Sequence, residues 1–193
     1  MKSGDIKMSN FPAAGVYTVD AVHSTIGFVA RHLVVSKVRG RFGEFEGTIT
    51  IGDTPETSSV VATVQAGSIT TDNEMRDGHL RSADFLAQDT YPTLTFKSTS
   101  LTSKGGNDYV LVGDLTIRDV TKSVTFDLEF TGEGVSMVPG GSVVGFEATA
   151  EIDRRDFNVN FEGTLENGTV VVSNKIILEL NIEAASVATA EAN

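Results

Sequence analysis

Apolar residues recur at every second position along most of this chain, the repeat of a strand with one buried and one solvated face. Residues 124–130 show it most cleanly: Val124, Phe126, Leu128 and Phe130 alternate with Thr125, Asp127 and Glu129. The same period runs through Phe45, Gly47, Ile49 and Ile51, through Val60, Ala62, Val64 and Ala66, and through Leu94 and Phe96. It returns in Leu111, Gly113, Leu115 and Ile117, in Val144, Phe146, Ala148, Ala150 and Ile152, and in Ile176, Leu178, Leu180 and Ile182. Two earlier strands are predicted, near residues 16–20 and over Ser24–Leu33, the second with Ile26, Phe28, Ala30 and His32 on one face. Turn residues separate these runs at Gly52–Pro55, Ser103–Asn107, Arg118–Asp119 and the glycine-rich Gly132–Gly141, and Asn167–Gly168 predicts a two-residue hairpin turn.

The stretch from Thr70 to Phe85 breaks the period. Thr71 and Glu74 have capping-box spacing, which predicts a short helix start. Gly78 weakens that helix by about 1 kcal/mol relative to alanine and suggests close backbone packing or an early end. Met75, Leu80 and Phe85 stand beside Arg76, Asp77, His79 and Arg81, so the helix is expected to lie over an apolar opening with its charges outward.

Eight or nine strands with one apolar face need an antiparallel sheet that hides that face. Closure into a barrel does so without edges, and a two-sheet sandwich does so as well. The inward positions Ala30, Gly47, Ala62, Ala66, Gly113, Ala148 and Ala150 are small and favour a barrel with room inside. The competing expectation is that Phe28, Phe96 and Phe146 fill those gaps.

The chain has 193 residues and reads as one domain over residues 15–183, between a flexible segment 1–14 and a flexible tail 184–193. A formal charge of -11 and a pI near 4.6 oppose nucleic acid or an anionic membrane surface as a partner. Without cysteine there is no disulfide or thiolate chemistry. Asp5 and Lys7 stand where a signal peptide would be apolar, which leads to the expectation of a cytoplasmic protein. No apolar run reaches the roughly 20 residues of a membrane span, so stable membrane insertion is not expected.

Several fragments, in order, resemble the YceI-like family of lipocalin-like, polyisoprenoid-binding proteins. They are Tyr17-Thr-Val-Asp20 with His23-Ser24, Gly40-Arg-Phe42, Arg76-Asp-Gly-His79-Leu80, Asp84-Phe85, Tyr91-Pro-Thr-Leu-Thr-Phe96, Gly113-Asp-Leu-Thr-Ile-Arg118 and Arg155-Asp-Phe157. Asp119 and Asn158 stand where glycine is common in that family, and both types tolerate left-handed backbone. Family members usually carry an export signal, which the N-terminal segment here does not resemble. The resemblance implies an all-β, eight-stranded antiparallel barrel with a short helix over one end. It also implies that the barrel binds, stores or transports a long isoprenoid lipid, a polyprenyl phosphate or an isoprenoid quinone. The residues expected to contact such a ligand are Phe28, His32, Phe45, Arg76, His79, Leu80, Phe85, Phe96, Leu115, Phe126, Leu128, Phe146 and Leu178. The alternative is an enzyme or a stress-response scavenger that uses the same cavity for another amphiphile.

Chemistry beyond lipid binding finds little footing. His23, His32 and His79 come from distant segments without ligand spacing, so they read as structural hydrogen-bonding groups, and neither a metal nor another cofactor is expected. No nucleophile elbow, phosphate loop or dinucleotide motif occurs, and no catalytic residue is assigned. Arg76, Asp77 and His79 admit two readings: they pin the helix to the barrel, or Arg76 and His79 meet a lipid head group. Arg154-Arg155 is a second head-group candidate against a solvated pair near a strand end. The oligomeric state is left open, a homodimer included.

Overall fold

The computed structural model describes residues 11–137, 141–168 and 171–186. The alternating segments form β1 (Gly15–Val19), β2 (Thr25–His32), β3 (Ser36–Phe42), β4 (Phe45–Ile51), β5 (Ser59–Gln65) and β6 (Ile69–Thr70). After the helix α1 (Glu74–Arg81) come β7 (Thr93–Gly105), β8 (Asp108–Ile117), β9 (Val120–Val135), β10 (Ser142–Asp153) and β11 (Val172–Ser186). Hydrogen bonding runs β1-β4-β5-β7-β8-β9-β10-β11 and returns from β11 to β1, an antiparallel barrel of eight strands. The barrel alternative is therefore the one adopted, and the sandwich is not.

The last strand makes closure possible because it is long enough to hold two partners on one edge. Its residues 172–181 pair with β2, while Ala184 and Ser186 pair with Val19 and Tyr17 of β1. Strands β2, β3 and β6 thus extend the wall beside the ring. Ala184, placed by the sequence at the start of a flexible tail, is fully buried. The tail from 187 onward lies outside the described residues, as does segment 1–10. Residues 11–14 are not loose: Phe11 stacks 5.8 Å from Tyr109, Pro12 is buried, and Ala13 accepts a hydrogen bond from the Tyr17 hydroxyl.

One strand went unread. In β3 the residues Val38, Gly40 and Phe42 alternate with Lys37, Arg39 and Arg41, but a glycine at the centre of the apolar face conceals the period. The expected glycine-rich loop is also shorter than read, since β9 continues to Val135; residues 138–140 lie outside the described residues. The Asn167–Gly168 turn is a Leu165–Gly168 turn closed by Gly168 N–H donating to the Leu165 carbonyl, with Gly168 at φ 81°. Of the two family departures, Asn158 does take left-handed backbone at φ 58°, whereas in the other turn Arg118, not Asp119, does so at φ 59°.

The helix forms as an element but starts differently from the reading. Asn73 is its N-cap and accepts from Arg76 N–H at 3.0 Å. Asp72 is left-handed at φ 58°, which turns the chain between Thr71 and the helix and leaves Thr71 free for other partners. A β-carbon on Gly78 would meet nothing within 4 Å, so no close packing requires that glycine, and the helix runs on to Arg81. Leu80, Phe85 and Leu86 pack from this region onto the same core as Phe157 and Val159, which closes that part of the barrel with apolar side chains. Among the described residues no helix is long and apolar enough to cross a membrane.

Candidate functional site

The barrel interior is incompletely filled. A cavity of about 180 Å³ runs through it, walled by side chains from β1 to β5 and β7 to β11. Phe42, Phe45, Val60, Val64, Phe96, Leu128, Leu178, Leu180 and Ile182 line it, and each is only half-buried although it points inward. An inward apolar residue that keeps exposed surface marks space without protein atoms in it. Glu46, Ser58, Ser59 and Thr95 are the polar residues on the lining, and no histidine is among them.

Glycine placement shows how far the aromatic rings do fill the gaps. A β-carbon on Gly113 would stand 2.3 Å from the Phe96 ring and 2.7 Å from the Lys97 carbonyl, and one on Gly40 would stand 2.2 Å from the Phe28 ring. Both rings occupy the space that a side chain at these glycines would take. The expectation that phenylalanines cover the small positions holds for Phe96 at Gly113, while Phe28 covers Gly40, which is not one of those positions; the cavity persists beside both. Gly113→Ala should force the Phe96 ring out of its place and destabilise the barrel by about 1–3 kcal/mol. Urea unfolding of that variant, which should leave the m-value unchanged, measures the loss.

Of the expected ligand contacts, Phe45, Phe96, Leu115, Phe126, Leu128, Phe146 and Leu178 lie on the cavity wall. Phe28, His32, Arg76, His79, Leu80 and Phe85 do not. Phe28 covers Gly40 and meets Phe42 at 6.1 Å between ring centroids, and His32 ends β2 opposite Ser36. Leu80 and Phe85 belong to the packing around the helix. Val19, Leu101 and Phe42 line the cavity without having been picked out. Leu101 escaped because a bulge between Ser98 and Ser100 shifts β7 by one residue and moves the inward set from even to odd positions.

The charged helix residues are already engaged. Arg76 donates from Nε to Thr71 Oγ1 at 2.7 Å and from Nη2 to the Thr71 carbonyl at 3.0 Å. Asp77, 4% exposed, accepts from the Thr71 amide at 2.7 Å and from the Thr70 and Thr71 hydroxyls. Burial pushes the Asp77 carboxyl pKa up, but the hydrogen bonds from Thr71 and Thr70 outweigh it and hold the group below the usual carboxylate range. His79 Nε2 lies 2.8 Å from Asp84 Oδ2, and its ring stands edge-on to Phe85 and Phe161 with centroids 5.0 Å away. This geometry matches the pinning role for Arg76 and Asp77. The Arg154-Arg155 reading needs correcting. Arg154 is buried, donating to the carbonyls of Ser173, Val159 and Phe161 at 3.1, 2.6 and 2.8 Å. Only Arg155 is solvated, paired with Asp153 at 2.6 Å.

His23 does find carboxylates once the chain is folded. Its Nδ1 lies 2.8 Å from Asp20 Oδ2 and 3.8 Å from Glu183 Oε1, where β11 passes the β1–β2 connection. The three ligand-type atoms fall within 4.8 Å of one another, on an exposed edge. Asp20, through its hydrogen bond and then its charge, raises the His23 pKa, with a further contribution from Glu183. A raised folded pKa means that this contact stabilises fully below the unfolded value of about 6.5 and is lost as pH rises through the folded value. Proton NMR should show His23 titrating above the ordinary histidine value, and Asp20→Asn should return it toward about 6.5; a His23 titration unmoved by that change would remove Asp20 as the cause.

A closed antiparallel barrel around an apolar cavity, with a short helix packed at the wall, defines a lipocalin-like protein. Comparison with known proteins narrows the class: the chain matches the YceI-like domain over residues 17–184 and belongs to that family. It is 37% identical over 169 residues to the UPF0312 protein SA2479 of Staphylococcus aureus (strain N315), covering 86% of this chain and 95% of that one. In fold it is similar to BcnA of Burkholderia cenocepacia, with a TM-score of 0.74, 24% identity and coverage of 86% and 98% of the two chains. It is also similar to a polyisoprenoid binding domain from Saccharophagus degradans implicated in plant cell wall breakdown, with a TM-score of 0.64, 16% identity and coverage of 91% and 100%.

Proposed function

We propose that this chain binds the tail of a long isoprenoid lipid, a polyprenyl phosphate or isoprenoid quinone, inside the barrel, as a carrier or store and not as an enzyme. The observation that carries this reading is the set of inward, half-buried apolar side chains around the cavity. Such a wall suits a slender, branched hydrocarbon, because each Å² removed from water contributes roughly 25 cal/mol and no directional bond is needed. The polyisoprenoid-binding neighbour of the same fold supports it.

Size limits how the ligand fits. A cavity of about 180 Å³ is smaller than the roughly 300 Å³ at the low end of ligand pockets, so it accepts the end of a tail as it stands. A longer tail enters as the half-buried side chains repack. A charged head group stays outside the apolar wall, because stripping an ion of water without a partner costs far more than the tail returns.

The test is binding of a prenol series of increasing length, read by native mass spectrometry and by displacement of a fluorescent apolar probe. Affinity should climb with each isoprene unit and then level off once the barrel is filled. Absence of any bound prenol, with the probe undisplaced at every length, would sink the lipid reading. Turnover of a candidate amphiphile would replace the carrier role with an enzymatic one.

A further inference from the structure

The charge along this acidic chain is unevenly spread. Between Asp20 and Glu44 there is no acidic residue, and Arg31, Lys37, Arg39 and Arg41 all fall in that interval. Those four belong to the β2–β3 hairpin. Arg39 and Arg41 have acidic partners, Glu179 and Asp72. Arg31 and Lys37 have none among the described residues, although they are placed directly across from one another on the paired strands. Two like charges at opposed positions repel, so the fold itself has no use for this arrangement.

The hairpin tip adds an apolar element of its own. Val34 and Val35 are 67% and 83% exposed, beyond the two exposed cations. Leu33 and Val34 take left-handed backbone at φ 50° and 68°, a conformation that β-branched side chains rarely adopt and that here turns valines into water. Ile26, Gly27 and Phe42, at the base of the same two strands, line the barrel cavity.

Paired, unneutralised cations behind an apolar tip match a surface that is anionic above and hydrocarbon below. We infer that the β2–β3 hairpin docks on an anionic lipid bilayer, with Arg31 and Lys37 at the phosphate layer and Val34 and Val35 in the interface. The net charge of -11 does not prevent this, because charges more than about 10 Å from the surface are screened at ordinary salt while the hairpin acts at contact. The proposal rests on the lipid-binding reading for its purpose: the two strands that carry the docking tip also give Ile26, Gly27 and Phe42 to the cavity lining, which links the membrane contact to the wall that would hold a tail.

The experiment is flotation of the full chain with vesicles of phosphatidylcholine alone and of phosphatidylcholine mixed with phosphatidylglycerol. Binding is expected on the anionic vesicles only and should fall steeply with added salt. Arg31→Ala and Lys37→Ala should each weaken it about fivefold, and together about 25-fold. Val34→Ser with Val35→Ser should weaken it with the cations intact. Melting temperature, expected to stay at the parent value for these exposed positions, guards against a folding defect. Equal flotation with both vesicle types, or a double cation variant that binds like the parent, overturns the proposal. So does serine replacement without effect, since the hairpin would then be a site for soluble polyanions. Probe displacement by a prenol, measured without vesicles, keeps the two readings apart: its loss defeats the cargo while docking stands, and lost flotation with intact displacement defeats docking alone.

Discussion

Phe126→Ala is expected to destabilise the barrel by about 3–5 kcal/mol, the cost of removing a buried phenylalanine whose site cannot collapse. Phe126 is 4% exposed, meets Phe96 edge-on at 5.5 Å, and stands opposite Leu111 across the strand pair. It also lines the cavity, so the lost ring joins a space that already exists. The barrel strands around it are fixed by their hydrogen-bonded neighbours and cannot move in to fill the gap. The same variant should therefore prefer longer or bulkier tails than the parent. Denaturant unfolding gives the first effect and the prenol series the second; a loss below about 1 kcal/mol would place the ring on a wall able to relax.

Arg154→Met should cost a similar amount for a different reason. The methionine keeps much of the apolar stem but leaves the carbonyls of Ser173, Val159 and Phe161 without their donor. Each acceptor so orphaned costs about 1–3 kcal/mol, and water reaching one of the three leaves a total of about 2–6 kcal/mol. Burial lowers the Arg154 pKa, as expected of a guanidinium held by neutral carbonyls without a carboxylate in contact. Arg155→Ala is the control. Its side chain is 54% exposed, so solvent screens the pair with Asp153 and its removal should cost no more than about 1 kcal/mol. It should release Asp153, whose carboxyl the Arg155 hydrogen bond holds at about 2, toward the ordinary carboxylate value. If the two arginine variants melt alike, the three carbonyls are being satisfied some other way.

The barrel strands were legible because a half-buried strand writes its burial into every second residue. Phe126, Phe146 and Leu178 could be assigned to the interior on that pattern alone, and all three are on the cavity wall. Alternation names a face but not a height along the barrel or a distance from its axis. Phe28 obeys the period as well as Leu178, its partner across the strand pair, yet its ring is spent on Gly40 and not on the cavity. Arg154 carried no local signal either: its acceptors lie at positions 159, 161 and 173, brought together only by the fold. Nor could the Asp20, His23 and Glu183 cluster be read, since its third member comes from the last strand. The shift in β7 and the glycine within β3 hid Leu101 and a whole strand for a related reason, since each breaks the rule by which strands are recognised.

Because β11 joins both β1 and β10, the ring closes only when strands far apart along the chain meet. Until 172–186 have been synthesised, the outer edges of β1 and β10 have no partner, and each is an open template for strands of other chains. Folding must then wait on a contact between Val19 and Ala184, a closure that slows assembly as non-local pairing does in other β proteins. Expression conditions that lengthen this interval, such as slow translation of the final strand or a crowded concentrated lysate, should shift material into inclusion bodies while leaving the finished barrel untouched. Chaperone dependence in this protein is therefore expected to track the rate at which its final strand is completed more than the stability of the native fold.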